Sequence, residues 1–156
     1  MKKETLLKIR TIVDYHFYPG AGEALFPTTA TIKYSSRTGR AKEIYYRGNL
    51  LATLQPIYGI YIPTLEGFRR LCRRFKYPRF RVTIKNDVAN IIKQGKNVFA
   101  KHVVKADTNI RIEDEVAVTD EKGDLLAVGK AVLSGKAMTS FRRGIAVRVR
   151  HGVAEK

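Results

Sequence analysis

The sequence predicts an α+β chain: short strands with peripheral helices, divided into two small domains. Three observations predict it. Helical spacing of apolar residues is confined to a few stretches, and most of the rest alternates in short runs bounded by Gly, Pro, Asn or Ser. The pattern stops and restarts once, at Lys76-Tyr77-Pro78, which puts the boundary between 1–77 and 78–156. Finally, 156 residues make room for one ordinary domain or two small ones. They are too few for a (β/α)₈ barrel, which takes about 250.

Each element has its own signal. Leu6, Ile9, Val13 and Phe17 recur at helical spacing and predict a helix over 3–17. Tyr18-Pro19-Gly20-Ala21-Gly22 ends it and reads as a loop. Strands follow over 29–34, 41–47 and 50–56, separated by Ser36-Arg37-Thr38-Gly39 and by a tight turn at Gly48-Asn49. Thr64 stands at the N-cap position of a helix over 65–75, whose buried stripe is Leu65, Phe68, Leu71, Cys72 and Phe75. In the second half, 79–85 alternates, with Phe80, Val82 and Ile84 on one face and Arg79, Arg81, Thr83 and Lys85 on the other. Asn86 caps a short helix over 87–94, with Val88, Ile91 and Ile92 as its apolar positions and Gly95 just past its end. Strands over 98–104, 115–119 and 125–133 follow, with a hairpin turn at Glu121-Lys122-Gly123-Asp124. A short turn or helix over 136–141 precedes a last strand over 144–150, where Ile145, Val147 and Val149 face away from Ala146, Arg148 and Arg150. This order suits a small mixed or barrel-like sheet.

Composition narrows the function. Thirty Lys and Arg stand against fourteen Asp and Glu, a formal charge of +16, with a pI of about 10.2. That balance points to a polyanionic partner such as nucleic acid. With 44% hydrophobic residues the chain has a real core to bury, unlike a disordered basic tail. Cys72 is the one cysteine, which excludes an internal disulfide and a Cys-rich zinc site and makes a reducing, cytoplasmic setting the default. No apolar run approaches a membrane span, and Lys8 and Arg10 interrupt what a signal peptide would need, so no membrane partner is expected.

A catalytic site is hard to find. His16, His102 and His151 are isolated, and no HExxH, GxSxG, Walker A or GxGxxG pattern occurs. Glu113-Asp114-Glu115 and Asp120-Glu121 read as a turn-rich, solvated edge, and Cys72 lies on an apolar stripe as a small core side chain. No enzyme, metal or cofactor is expected from these residues.

Charge is segregated instead. Between Asp107 and Asp124 seven acids face only Arg111 and Lys122, so the bases of the second half concentrate elsewhere. Three basic groups stand out. Arg148 and Arg150 share a face of the last strand, with Arg142 and Arg143 upstream, and Lys93, Lys96 and Lys101 surround Gly95. On the helix over 65–75, Arg69/Arg73 and Arg70/Arg74 are i,i+4 pairs of like charge with no acid to neutralise them. Such pairs cost a few tenths of a kcal/mol each, roughly, and a bound anion removes the penalty. Helix-terminal cations are also favoured by the macrodipole, which explains one such arginine better than four. Gly95-Lys96-Asn97 reads either as a plain helix cap or as a tight loop letting phosphate or ribose approach the backbone. Most Tyr and Phe fall at core positions, which leaves little for base stacking.

The second half resembles a PUA domain. The likeness rests on Arg79-Phe80-Arg81-Val82-Thr83-Ile84, Lys93-Gln94-Gly95, Lys96-Asn97-Val98-Phe99-Ala100-Lys101, Asp114-Glu115-Val116, Leu125-Leu126-Ala127-Val128-Gly129-Lys130-Ala131 and Arg143-Gly144-Ile145-Ala146-Val147-Arg148-Val149-Arg150. The first half resembles the pre-PUA domain that precedes PUA in archaeal archaeosine tRNA-guanine transglycosylases. It does so through Pro19-Gly20-Ala21-Gly22-Glu23-Ala24-Leu25-Phe26-Pro27, Thr38-Gly39-Arg40, Leu51-Ala52-Thr53-Leu54 and Glu66-Gly67-Phe68-Arg69-Arg70-Leu71. The resemblance implies a pre-PUA α/β domain followed by a β-barrel-like PUA domain with peripheral helices. It also implies RNA binding, with the tRNA acceptor stem held by Gly95, Lys96, Val98, Ala100 and Lys101 and by Arg148 and Arg150. The family's catalytic barrel, nucleophilic aspartate and zinc cysteines have no counterpart in these residues. The expected function is therefore a non-catalytic tRNA-binding protein in tRNA modification. The rivals are an RNA-binding subunit that works with a catalytic protein partner, and a ribosome-assembly or translation factor that binds rRNA.

Overall fold

A computed structural model describes residues 2–155, and the chain divides into two compact units, 1–74 and 75–156. In the first unit, helix α1 (Lys2–His16) buries Leu6, Ile9 and Val13. The expected loop after it holds a second helix, α2 (Ala21–Leu25), entered through Gly20 at φ 94°. α2 lies hard against α1: a Cβ on Gly22 would stand 2.2 Å from the Arg10 carbonyl, and the Gly22 N–H donates to Asp14 Oδ1 at 2.6 Å. A five-residue helix with one glycine inside it and another as its N-cap has no periodicity to reveal it.

Strands β1 (Thr31–Tyr34), β2 (Ala41–Tyr46), β3 (Asn49–Gln55) and β4 (Ile60–Pro63) form an antiparallel meander in chain order. The β2–β3 turn is Arg47-Gly48, both left-handed at φ 50° and 81°, one residue earlier than expected. β4 was not expected. It ends in Pro63, a residue confined to sheet edges because it donates no ladder bond, and β4 is indeed an edge. Helix α3 (Leu65–Arg74) is capped as expected, Thr64 Oγ1 accepting the Gly67 N–H at 3.2 Å. Phe68 and Leu71 are fully buried beneath it, and Leu65 and Cys72 are half-buried. Gly67 lets the helix settle on β3, since a Cβ there would meet the Leu51 carbonyl at 2.2 Å.

The second unit holds β5 (Arg81–Ile84), α4 (Ala89–Lys93), β6 (Val98–Phe99), β7 (Val103–Ala106), β8 (Glu115–Thr119), β9 (Leu125–Ala131), α5 (Gly135–Ser140) and β10 (Ile145–Gly152). The sheet order is β6-β10-β9-β8-β5-β7, antiparallel except for the parallel β5–β8 pair. Its two edges, β6 and β7, are consecutive in the chain, joined by one 3₁₀ turn, Ala100–His102. The sheet therefore curls into a nearly closed barrel around Val82, Ile84, Val98, Val116, Leu126 and Val147.

Four expectations change in this unit. β5 does not alternate: all four residues are buried, because the strand lies between β8 and β7 with both faces covered. The expected strand over 98–104 is broken into β6, the 3₁₀ turn and β7, the corner that curls the sheet. Asn86 does not cap α4. It opens a 3₁₀ turn, Asn86–Val88, and exchanges bonds with Glu121, its Oδ1 accepting the Glu121 N–H at 3.0 Å. Ile91 is 54% exposed, leaving Ile92 as the buried anchor of α4.

Among the described residues no helix is long and apolar enough to cross a membrane, and no three His, Cys, Asp or Glu gather as metal ligands. Because α3 rests on β3 through Gly67, Gly67→Ala is expected to lower unfolding free energy by about 1–3 kcal/mol, read from the denaturant midpoint.

Candidate nucleic-acid interface

The closure of the sheet brings three separated segments of the second unit to one edge. Gly95 follows α4 at φ +96°, the left-handed geometry expected of it, and its N–H donates to the Ile92 carbonyl at 2.9 Å. Asn97 then reaches across to β10, its Oδ1 accepting the Val149 N–H at 3.0 Å. Val98 pairs with Val147 and Phe99 with Ile145, and the Ala100 N–H donates to the Gly144 carbonyl at 2.9 Å. Lys96 and Lys101 are thereby fixed beside β10 and the 142–144 turn. Lys96, Lys101, Arg142, Arg143 and Arg148 are exposed, Lys93 is half-buried, and none forms an ion pair among the described residues.

Val98 and Ala100, assigned to the RNA surface by resemblance, point their side chains into the core at 0% and 2% exposure. Those two positions offer backbone only. Arg150 is also corrected. β10 carries a bulge there: Val149 faces Gly129 and His151 faces Val128, so Arg150 is the extra residue. Both terminal nitrogens of Arg150 donate to the buried Glu115 carboxylate, the Nη2–Oε2 contact at 3.2 Å. Its guanidinium is committed to an internal acid, and the expected pairing of Arg148 with Arg150 on one free face does not exist.

The cation that does stand beside Arg148 is Lys130, directly opposite on β9 and also exposed. Like charges facing each other across strands are destabilising, and an anion between them relieves this. Glu115, opposite Lys130 on its other side, is already held by Arg150. Lys130 was missed because strand register is not written in local sequence. Gly129 was the available signal: a Cβ there would stand 2.3 Å from the Arg148 carbonyl, the close approach an interior strand glycine marks. Phe99 and Phe141 are 45% and 53% exposed, unlike the core positions expected for most Tyr and Phe.

His102, in the corner turn, is held below the ordinary histidine range first by burial and then by Lys101 and Lys85, with Asp87 opposing. Its neutral form is favoured. In the first unit, α3 does not lack an acid as expected, because Arg69 pairs with Glu66 one turn earlier. Arg70 Nε donates to the Ala24 carbonyl at 3.0 Å, and its guanidinium sits 5.1 Å from the Tyr46 ring centroid. Arg73 and Arg74 are exposed.

The second unit is thus a small curled barrel with a basic edge, joined to a helix-bearing four-stranded unit. Residues 80–153 match the PUA domain, and residues 7–78 match the patch-forming domain C2 of tRNA-guanine transglycosylase. The chain thus carries both domains, C2 ahead of PUA. Its sequence is 40% identical over 152 residues to the tRNA-guanine(15) transglycosylase of Thermococcus kodakarensis, covering 97% of this chain and 26% of the relative. The chain spans about a quarter of the length of the curated relatives it matches. A hypothetical protein from Pyrococcus horikoshii has the same fold, with a TM-score of 0.78 at 24% identity, covering 99% of this chain and 93% of that one. So does a conserved PUA domain protein from Thermoplasma acidophilum, with a TM-score of 0.68 at 22% identity, covering 100% of this chain and 93% of that one.

Two outcomes are expected. Arg150→Ala leaves the Glu115 carboxylate buried without its partner and lowers stability by about 1–3 kcal/mol, whereas Arg148→Ala changes it by less than about 0.5 kcal/mol, both read by thermal melting. His102 binds its proton less readily folded than unfolded. Its contribution to stability is therefore full above the ordinary histidine range and declines as pH falls through it, and His102→Asn flattens that decline in melts between about pH 7 and pH 5.

Proposed function

We propose that this chain binds structured RNA, tRNA near its acceptor end, and serves tRNA modification without catalysing it. The observation that carries the reading is the run of unpaired cations along the β6–β10 edge: Lys93, Lys96, Lys101, Arg142, Arg143 and Arg148, extended by Lys130. Lysine and arginine contact phosphates, and the left-handed Gly95 turn sets Lys96 beside β10. Recognition is of A-form shape, because the major groove of duplex RNA is too deep and narrow for side chains to read. In the first unit Arg69, Arg70, Arg73 and Arg74 supply a second group of phosphate contacts, Arg69 with its charge partly offset by Glu66. The identity with a tRNA-guanine(15) transglycosylase supports tRNA as the RNA.

The same relative favours one further reading. The chain aligns with a quarter of an enzyme whose name specifies chemistry on tRNA, so a catalytic protein partner that acts on the RNA held here is the natural complement.

Crosslinking in native cells, followed by sequencing of the attached RNA, tests the proposal. Enrichment of tRNA acceptor ends is expected, and enrichment of rRNA would instead make this a ribosome-associated factor. In vitro, neutralising about five phosphates gives a log–log salt slope of roughly −4 on duplex. A flat salt dependence would contradict the phosphate-contact model.

A further inference from the structure

The first unit holds a concavity that the β6–β10 edge does not explain. It measures about 210 Å³, and four arginines line it: Arg47 from the β2–β3 turn and Arg69, Arg70 and Arg73 from α3. Glu66 is the one acid on its wall, so the cleft carries a net charge of about +3 by formal charges. The arginines are held in place. Arg69 is anchored on Glu66, and Arg70 is anchored through Nε on the Ala24 carbonyl, which leaves its terminal nitrogens for the cleft. The Arg47 and Arg70 guanidinium carbons lie 5.0 and 5.1 Å from the centroid of the same Tyr46 ring. Two cations are thus gathered around one aromatic ring, and both add to the positive potential of the cleft.

The backbone adds an independent observation. Arg47 occupies a left-handed position, φ 50°, in a two-residue hairpin turn where Asn, Asp or Gly is the ordinary residue. A long cationic side chain held there at a conformational cost is explained by what it faces rather than by the turn.

Resting on the RNA-binding reading above, we propose that this cleft receives the terminal phosphate monoester of an RNA strand. An internal phosphodiester carries one negative charge. A terminal monoester carries about −1.5 to −2 at pH 7 and presents three oxygens, which suits several guanidinium forks converging from two elements. A concavity of this size admits one end group, while the continuous backbone of a duplex lies along open basic surface such as the β6–β10 edge.

The test is fluorescence anisotropy with the full chain and three versions of one short RNA duplex, ending in a 5′-phosphate, a 3′-phosphate or hydroxyls only, at fixed salt. The chain is expected to bind one phosphorylated form about tenfold more tightly than the hydroxyl form, and which form it prefers identifies the strand end. The preference is expected to fall to about one in Arg47→Gly, whose glycine suits the left-handed position, and in Arg73→Ala. Equal affinity for all three duplexes, or a preference that survives both substitutions, overturns the assignment while leaving RNA binding intact. Failure to bind any of the three overturns the RNA-binding reading and this inference with it.

Discussion

Sheet closure is the constraint on which the second unit depends. Its two edge strands, β6 and β7, are separated in sequence only by the 3₁₀ turn Ala100–His102, so one side of the barrel is made by a corner instead of a ladder. A strand edge left open invites pairing with another chain. Here β6 is only two residues long, and Asn97 and Gly144 bond the flanking backbone to opposite ends of β10. The devices that blunt the edge are the same ones that hold Lys96, Lys101 and Arg148 together. Stability and the proposed binding surface share one solution.

The acids are distributed by the same economy. Asp107 is buried, accepting the N–H of Phe80, whose φ of 64° is costly for a bulky residue, and that of Asn109. Asp120 accepts two turn N–H groups, Asp114 accepts that of Arg111, and Glu115 holds Arg150. Much of the negative charge of this unit is thus committed to internal bonds between 107 and 124, on β8 and the loops around it. Apart from Arg150, the lysines and arginines on β10 and on the connections flanking β6 are left without carboxylate partners among the described residues. The excess of base over acid in this unit becomes a surface with a direction, which would focus the attraction of the proposed polyanion on one side of the barrel.

Periodicity made much of this legible. Helices α1 and α3, the first three strands, the Thr64 cap and the left-handed Gly95 follow from spacing and local chemistry. What stayed hidden involved contacts distant in sequence. An apolar run over 98–104 looks the same whether it continues straight or turns a corner to close a barrel. A strict alternation put Arg148 and Arg150 on one face, whereas the bulge at Arg150 turns that side chain to Glu115, 35 positions away. Lys130 became a candidate only through its register with Arg148. The C-terminal segment is similar: residues 152–155 bond to Lys93 and Leu126, and Glu155 lies beside the vacant Cβ position of Gly95. Nothing local to Gly95 announces a carboxylate there.

RNA lying along the β6–β10 edge, as proposed, leaves the acid-rich β8 side of the barrel untouched. Backbone amide NMR of the full chain, titrated with a tRNA acceptor-stem duplex, tests it most directly. The account predicts perturbed amides over 95–101 and 142–148 and at Lys130, with those over 113–124 unchanged. Perturbations centred on 113–124, with the β6–β10 edge silent, would contradict it.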